Sequence, residues 1–288
     1  MEHPIRVALA RAVPTLPVGT GWMYEPKFDG HRVILIRDAE TVRLQGRSGQ
    51  MVTTAWMDLA GAGMHLAPGV TLDGEAVIWR NGKLDFGAVQ SRAAAGIARA
   101  RELAHILPAS YAAFDILTHP AHGDIRGRPY LERRALLLQV LEHVGPPLQP
   151  VPATDDIEVA RLWYSALQEQ NIEGIVAKPA TSAYRSQARD WLKIRHADTV
   201  DCDVIGYTGS PRHPRALAVL LPDGRRVLSQ RLPAALAAQA AERLRDAGPG
   251  RRARTDDGVP YLTAPRGIVI EALAGTTRHA VVAVTRFR

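Results

Sequence analysis

The chain has 288 residues, of which 46% are hydrophobic and 23% are charged. This length and composition exclude a disordered chain, allow a sizeable core and favour two domains. No stretch approaches the roughly 20 apolar residues of a membrane span, and no basic region followed by an apolar run begins the sequence. The only cysteine, Cys202, cannot form an internal disulfide or supply a zinc site. We expect a soluble cytoplasmic protein with no membrane partner.

The net charge of +7 is concentrated in the last third of the chain. From Thr199 onward there are 14 Arg, no Lys and 8 Asp plus Glu, which leaves +6. The first 198 residues carry 22 basic and 21 acidic residues, which leaves +1. Such asymmetry is typical of a segment that binds phosphates, although an arginine-rich solvated face is the alternative.

Lysine is scarce in this chain. Arginine stays protonated at any working pH, whereas a lysine amine can lose its proton through burial or neighbouring cations and become a nucleophile. A chemical role is therefore worth seeking for each lysine except Lys83, which lies in an Asn-Gly turn and is interpreted as a surface residue. Only four of the 36 basic residues are lysines: Lys27, Lys83, Lys178 and Lys193.

The first two thirds of the chain mix predicted strands with predicted helices. Short runs rich in β-branched and aromatic residues predict strands at 33–36, 42–44, 71–79 and 111–117. Apolar residues at spacings of three and four predict helices at 93–107, 131–144 and 157–170. This mixture predicts an α+β domain built around antiparallel sheets.

The pattern changes after a predicted strand at 191–194. We place the domain boundary near 197–201, which gives domains 1–198 and 199–288. About five strands and one helix in roughly 90 residues predict a small β-barrel, with the OB-fold as the candidate for a nucleic-acid partner. Residues 248–258 are rich in Gly, Arg and Asp and predict a mobile surface loop. The predicted strands are 204–207, 216–221, 225–229, 268–274 and 281–285, and the predicted helix is 234–247.

Five short motifs follow one another in order. The first, EPKFDGHR at 25–32, places a carboxylate two residues and a guanidinium five residues after Lys27. The others are LDGE at 72–75, AFDI at 113–116, EGIVAK at 173–178 and WLKIR at 191–195. The series resembles the motifs of the covalent nucleotidyltransferase superfamily, and most closely the compact ATP-dependent DNA ligases of bacterial repair and end joining. Further similarities extend the resemblance over most of residues 20–230: Phe86, Gln90, Arg92, LERR at 131–134 and Tyr184 with Arg185.

The resemblance implies an α+β nucleotidyltransferase domain of ATP-grasp-like architecture with antiparallel sheets, followed by an OB-fold barrel. It also implies three displacements. Lys27 takes AMP from ATP, a DNA 5′-phosphate takes AMP from Lys27, and a 3′-hydroxyl displaces AMP to seal the strand. Arginine could not replace Lys27, because it does not deprotonate. The alternative for Lys27 is an ordinary solvated loop lysine.

The resemblance also assigns contacts to the nucleotide. Asp29 and Arg32 would lie beside the ribose and the transferred phosphate, or else form a surface ion pair. Phe114 would stack on adenine, a contact of about 1 to 3 kcal/mol, although an aromatic residue on a buried strand is usually core. Glu25 would recognise the adenine amino group unless it is a capping or exposed acid. Arg47, in GRSG at 46–49, would approach the ribose and the nick phosphate, on the weak evidence of one arginine in a turn.

Two carboxylates and three cations complete the implied site. Glu75 and Glu173 would hold Mg²⁺, with Mn²⁺ as a substitute, unless they are solvent-facing strand residues. Asp73 is interpreted as a turn residue and is left out of the metal set. Lys178 and Lys193 would converge on the α-phosphate and lower the pKa of the nucleophile. Arg195 is the third cation; it stands where many relatives have a second lysine, and it keeps the positive charge.

The C-terminal stretch RHAVVAVTR at 278–286 resembles the last ligase motif, which orients the leaving pyrophosphate. Ala280 and Val282 stand where Pro and an aromatic residue are usual, so self-adenylation is expected to be slow or differently organised. Arg278 and Arg286 are the candidate contacts to pyrophosphate or DNA, or else basic edge-strand residues.

We expect a nucleoid-associated monomer that acts on duplex DNA with nicks or ends, together with repair or end-joining proteins. Only about 20 residues precede the first motif, so no N-terminal DNA-binding domain is expected. Two alternatives stay open. One is an RNA ligase or capping guanylyltransferase on the same scaffold, and the other is an inactive nucleic-acid binding module.

Overall fold

The structure is a computed structural model that describes residues 4–13, 15–245, 248, 250–275 and 282–288. Its residues form two compact units, Met1–Arg195 and His196–Arg288. Within the described ranges, no helix has the length and apolar character to cross a membrane.

The first unit is a mixture of short strands and helices. Its α-helices are α1 (Met57–Gly63), α2 (Phe86–Ala93), α3 (Ile97–Ile106), α4 (Tyr130–Leu141) and α5 (Ile157–Ala166), and a 3₁₀ turn follows at Leu167–Gln170. Its strands are β1 (Ala10–Ala12), β2 (Trp22–Lys27), β3 (His31–Arg37), β4 (Val42–Gly46), β5 (Thr71–Val77), β6 (Trp79–Arg80), β7 (Lys83–Leu84), β8 (Ser110–His119), β9 (Gly123–Asp124), β10 (Leu148–Pro150), β11 (Gly174–Pro179) and β12 (Trp191–Arg195).

Two sheets organise this unit. Sheet 1 has the strand order β1-β12-β11-β2, and sheet 2 has the order β10-β8-β5-β3-β4 with β9 paired to β8. The inner strand pairs are antiparallel, as predicted. The prediction is wrong at one edge of each sheet, where β1 runs parallel to β12 and β10 runs parallel to β8. At the second edge, α4 lies between β9 and β10, and such a crossover lets the chain return in the same direction.

Strand β3 is apolar on both faces because sheet 2 is covered on both sides. Val33 and Leu35 point into the largest core cluster, with Trp56, whereas Ile34 and Ile36 point into a second cluster with Trp191 of sheet 1. Successive side chains of a strand point to opposite faces, so a strand buried on both faces reads as a continuous apolar run.

Three predicted elements of the first unit differ in extent. The helix predicted at 93–107 is confirmed as α3 only from Ile97 to Ile106, because Gly96 adopts an extended conformation as the N-cap. The strand predicted at 71–79 ends at Val77, and the following hairpin turns through Asn81 and Gly82, both with positive φ. The helix predicted at 157–170 tightens into a 3₁₀ turn after residue 166 and ends at Asn171, which has a left-handed conformation.

The second unit is built around one long strand. β13 pairs with three strands, β14, β17 and β18. The segment 248–258 is predicted to be a loop. It contains β16, which pairs with β17 in a short antiparallel hairpin. The elements are β13 (Ala197–Ser210), β14 (His213–Leu220), β15 (Arg226–Leu228), α6 (Ala234–Arg243), β16 (Arg252–Arg254), β17 (Pro260–Thr263), β18 (Val269–Gly275) and β19 (Val282–Phe287).

The described strands of the second unit do not close into a barrel, so the predicted OB-fold is not confirmed. The sheet order is β15-β14-β13-β17-β16, with β18 paired to β13 and to β19. One isolated parallel bridge joins Ser229, next to β15, to Val282 at the start of β19. Helix α6 packs against β14 and β19.

A buried ion pair fixes α4 to sheet 2. Arg133 donates to both oxygens of Asp115 at 2.8 and 2.9 Å, and neither side chain is exposed. Replacing Arg133 with Met leaves a buried carboxylate without its cation. We expect the Arg133→Met variant to lose about 3 to 5 kcal/mol of unfolding free energy.

Urea unfolding followed by tryptophan fluorescence measures this loss, because all five tryptophans lie in the first unit. The control is Arg99→Met, which removes an exposed pair with Glu102 and should change the free energy by less than about 1 kcal/mol. Equal effects of the two variants would contradict the structural role of the buried pair.

Candidate active site

The register of sheet 1 brings five of the predicted site residues to one face. Gly174 lies opposite Lys27 on one side and Arg195 on the other, and Val176 lies between Glu25 and Lys193. Residues directly opposite one another, and residues two apart on one strand, share a face. The following residues therefore project together: Glu25, Lys27, Lys178, Lys193 and Arg195.

Glu173, just before β11, links the two cations at the end of this face. Lys27 Nζ forms an ion pair with Glu173 Oε2, and Arg195 Nε lies 2.7 Å from Glu173 Oε1. The strands approach closely here: a Cβ on Gly174, whose φ is +152°, would lie 1.9 Å from the Ile194 carbonyl oxygen. Glycine at 174 thus allows Glu173 to sit between the nucleophile candidate and Arg195.

Lys193 lies within a concentration of positive charge. Burial and, after it, the charges of Arg195, Lys27 and Arg47 lower its pKa to about 8, whereas Glu173 opposes them. Arg47 itself is exposed in the turn after β4. These four cations are close enough to repel one another, so this is a region where negative charge on a ligand is stabilised.

Sheet 2 contributes a second group. Arg32 donates to both oxygens of Asp73 at 3.0 and 2.6 Å and to the Ala8 carbonyl at 2.7 Å. Tyr184 donates its hydroxyl to Asp73 at 2.6 Å. Asp73, interpreted from sequence as a turn residue, is instead the fully buried anchor of Arg32 within β5. The sequence contains a sign of this position, because Asp73 and Glu75 are two residues apart on one predicted strand and therefore point to the same face.

Glu75 lies opposite Arg32 in the pairing of β3 with β5. It accepts a hydrogen bond from the backbone N–H of Gly30 at 3.2 Å. Burial raises the pKa of Glu75 to about 7, while the charges of Lys27 and Arg32 act in the opposite direction. Glu75 therefore belongs to the same electrostatic neighbourhood as Lys27.

Lys178 is separated from the cation group by its own partners. Only 1% of its side chain is exposed, and its Nζ lies 2.8 Å from Glu25 Oε2 and donates to the Phe114 carbonyl at 2.7 Å. Tyr130 donates its hydroxyl to the other oxygen of Glu25. Burial lowers the pKa of Lys178, and Glu25 opposes that change. The position of Tyr130, at the start of α4, was missed by the sequence interpretation.

Phe114 is half-buried rather than core. Its ring packs edge-on against Trp191, with centroids 6.0 Å apart. Arg32 and Lys178 each place their charge about 5 Å from the same ring, at 5.2 and 4.9 Å. Phe114 thus connects the Arg32 group of sheet 2 with the Lys178 group of sheet 1.

The C-terminal candidates belong to the second unit. Arg278 lies outside the described residues. Arg286 of β19 forms an ion pair with Glu271 at 2.7 Å, and 60% of its side chain is exposed. Arg288 pairs with the same carboxylate at 2.7 Å. The guanidinium of Arg286 is thus bound within its own unit.

Lys27 and Arg195 thus share the Glu173 carboxylate, and the Phe114 ring lies beside Arg32 and Lys178. The family described as ATP dependent DNA ligase domain matches residues 9–195. The chain belongs to the ATP-dependent DNA ligase family.

Relatives support this assignment. DNA ligase C2 of Mycolicibacterium smegmatis is 36% identical over 205 residues, which cover 71% of this chain and 57% of that protein. The multifunctional non-homologous end joining protein LigD of Pseudomonas aeruginosa is 32% identical over 240 residues, 79% of this chain and 27% of that protein. The chain thus matches little more than half of the first relative and about a quarter of the second.

One solved structure extends the likeness in fold. The ligase domain of LigD from M. tuberculosis has a TM-score of 0.54 and 21% sequence identity to this chain. The match covers 98% of this chain and 93% of that domain.

Burial and the positive charge around Lys193 lower the pKa of its amine, so the amine reacts at moderate pH. We expect acetylation of Lys193 by acetic anhydride, followed by peptide mass spectrometry, to rise with a midpoint near pH 8. Arg195→Gln removes a repelling cation and should move the midpoint to higher pH. Arg101→Gln, which removes an exposed arginine of α3, should leave it unchanged. An unmoved midpoint in Arg195→Gln would contradict the proposed repulsion.

Proposed function

We propose that this chain is an ATP-dependent DNA ligase that joins 5′-phosphate and 3′-hydroxyl ends in duplex DNA through AMP carried on Lys27. The observation that carries the proposal is the contact of Lys27 with Glu173 at the end of sheet 1, beside Arg195 and Lys193. Membership of the ligase family supports the same reaction.

In the first step, neutral Lys27 Nζ attacks the α-phosphorus of ATP. The new N–P bond forms as the bond to the pyrophosphate oxygen breaks. Lys193 and Arg195 stabilise the negative charge that develops on the phosphate. Because Lys27 is paired with Glu173 before ATP binds, this pair has to open for the attack.

Phe114 supplies the ring on which adenine stacks, as its partial exposure allows. Arg32, held by Asp73, lies beside the ribose and the transferred phosphate, with Asp29 on the neighbouring loop. Glu25 has one proton donor at each oxygen, and the second lone pair of either oxygen can accept the adenine amino group. Lys178 acts on the nucleotide through Phe114, whose carbonyl it binds, rather than at the α-phosphate.

The donor set fits a magnesium ion that takes most of its ligands from the nucleotide and water. Among the described residues there is no group of three or more His, Cys, Asp or Glu that could hold a metal. Mg²⁺ commonly uses one or two carboxylates together with substrate phosphates. Glu75 and Glu173 would hold it, and Mn²⁺ in its place, and the ion would neutralise phosphate charge.

In the later steps, the DNA 5′-phosphate displaces Lys27 from AMP, and the 3′-hydroxyl then displaces AMP. The second unit supplies the DNA-binding surface, consistent with its excess of arginine. Its bridge between Ser229 and Val282 favours an OB-type barrel. Arg278 and Arg286 stay candidates for contact with pyrophosphate or DNA, provided that Arg286 leaves Glu271. Arg47 stays a candidate for contact with the nick phosphate.

The cellular role proposed is repair of broken DNA. One relative is named as an end-joining protein, which favours substrates with nicks or ends. The chain would act as a monomer in the cytoplasm, at the nucleoid, with repair proteins that recruit it. RNA substrates are the alternative that the following measurement separates.

Lys27→Arg keeps the charge but removes the nucleophile. We expect this variant and Lys27→Ala to gain no AMP from labelled ATP with Mg²⁺ and to lose nick sealing completely. Lys83→Ala, which removes the exposed lysine of the β6–β7 hairpin, should behave as wild type. AMP transfer to Lys27→Ala would contradict the assignment of the nucleophile. Sealing of nicked RNA but not of nicked DNA would contradict the proposal that duplex DNA is the substrate.

Phe114→Ala removes the stacking ring. A loss of about 1 to 3 kcal/mol corresponds to an increase in the KM for ATP in self-adenylation of about fivefold to a hundredfold. Phe114→Trp keeps a ring and should restore most of the affinity. A wild-type KM for Phe114→Ala would contradict stacking at this position.

A further inference from the structure

Four arginines of the second unit line one groove. They lie at the turn into β14, on β14 itself, before α6 and after α6, and the groove has a volume of about 1220 Å³. Glu242 is the only carboxylate of its lining among the described residues. The four are Arg212, Arg215, Arg231 and Arg245, and together they define the arginine groove.

Among the described residues, three other arginines of the same unit have a carboxylate partner, and these four have none. In the described part of the chain, none of the four forms an ion pair, and all four are exposed. Arg225, by contrast, pairs with Asp223, and Arg286 and Arg288 pair with Glu271. The arginine groove therefore holds uncompensated charge, whereas the predicted contact Arg286 is already compensated.

One wall of the groove is a smooth helix face. Ala234, Ala237 and Ala241 of α6 line it, at spacings that place them on one side of a helix. Ala240 and Leu244 point the other way, into the core. Short side chains along this wall let a broad polymer approach the flanking guanidinium groups.

The lining favours a double-stranded partner. None of its described residues is Phe, Tyr or Trp. Single-stranded nucleic acids are usually held by bases stacked on such rings, whereas a duplex is positioned by phosphate contacts from arginine, lysine and backbone groups. We propose that the arginine groove binds the phosphodiester backbone of duplex DNA beside the break. This inference rests on the proposed function and names the DNA-binding surface that the function needs.

The test uses the full chain and a pair of matched double variants. Arg215→Gln with Arg231→Gln removes two charges from the groove. Arg226→Gln with Arg266→Gln removes two exposed charges that lie outside it in the same unit. Binding of a 5′-phosphorylated nicked duplex is measured by fluorescence anisotropy across a range of NaCl concentrations. Self-adenylation from labelled ATP without DNA is measured in parallel.

We expect the groove variant to bind nicked duplex about tenfold to a hundredfold more weakly near 0.1 M salt. The slope of log K against log salt should become less steep by about 2, because each phosphate contact contributes about 0.9 to the steepness of that slope. The control variant should lose much less affinity for the nicked duplex. Both double variants should take AMP from ATP as the wild type does.

Equal losses in the two double variants would overturn the inference, because net charge alone would explain them. Loss of single-stranded DNA binding with unchanged duplex binding would also overturn it. A wild-type protein that takes AMP but neither binds nor seals duplex DNA would overturn the DNA substrate of the proposed function. A wild type that seals nicks while the groove variant binds normally would overturn this inference alone.

Discussion

The contact between Lys27 and the Glu173 carboxylate, with Arg195 on its other oxygen, is the interaction on which the site depends. It exists because β2, β11 and β12 pair in a register that puts Gly174 between Lys27 and Arg195. A slip of one residue would turn Lys27 to the opposite face of the sheet. The contact orients the amine while keeping it paired, so ATP binding has to exchange one partner of Lys27 for another.

Two buried ion pairs hold the surroundings of that contact. Asp73 fixes Arg32 and receives the Tyr184 hydroxyl, while Asp115 fixes Arg133 below Tyr130. Removing one partner of such a pair leaves a buried charge, so each is a constraint rather than a source of stability. The arrangement gives the candidate stacking ring Phe114 a rigid setting, which favours a nucleotide site that forms before its ligand arrives.

Sequence reasoning found the strand-borne site residues through the resemblance of their motifs, and the period of two in a strand explains why they lie together. Glu25 and Lys27, or Lys193 and Arg195, necessarily share a face once their segments form strands. The contacts that sequence reasoning did not anticipate depend on partners far along the chain. Asp73 meets Arg32 only through the pairing of β3 with β5, and Lys178 meets Glu25 only through that of β2 with β11. Likewise, the helix predicted at 93–107 begins only at Ile97, because Gly96 is extended.

The sequence by itself determined the class of protein, the nucleophile candidate and the basic character of the second unit. These follow from motif order and composition, which do not depend on how distant segments meet. Only the tertiary structure decided that Lys178 is buried with Glu25, that Arg286 is compensated by Glu271 and that four other arginines share one groove. The reason is physical: whether a charge is free or paired depends on the carboxylates that folding places beside it.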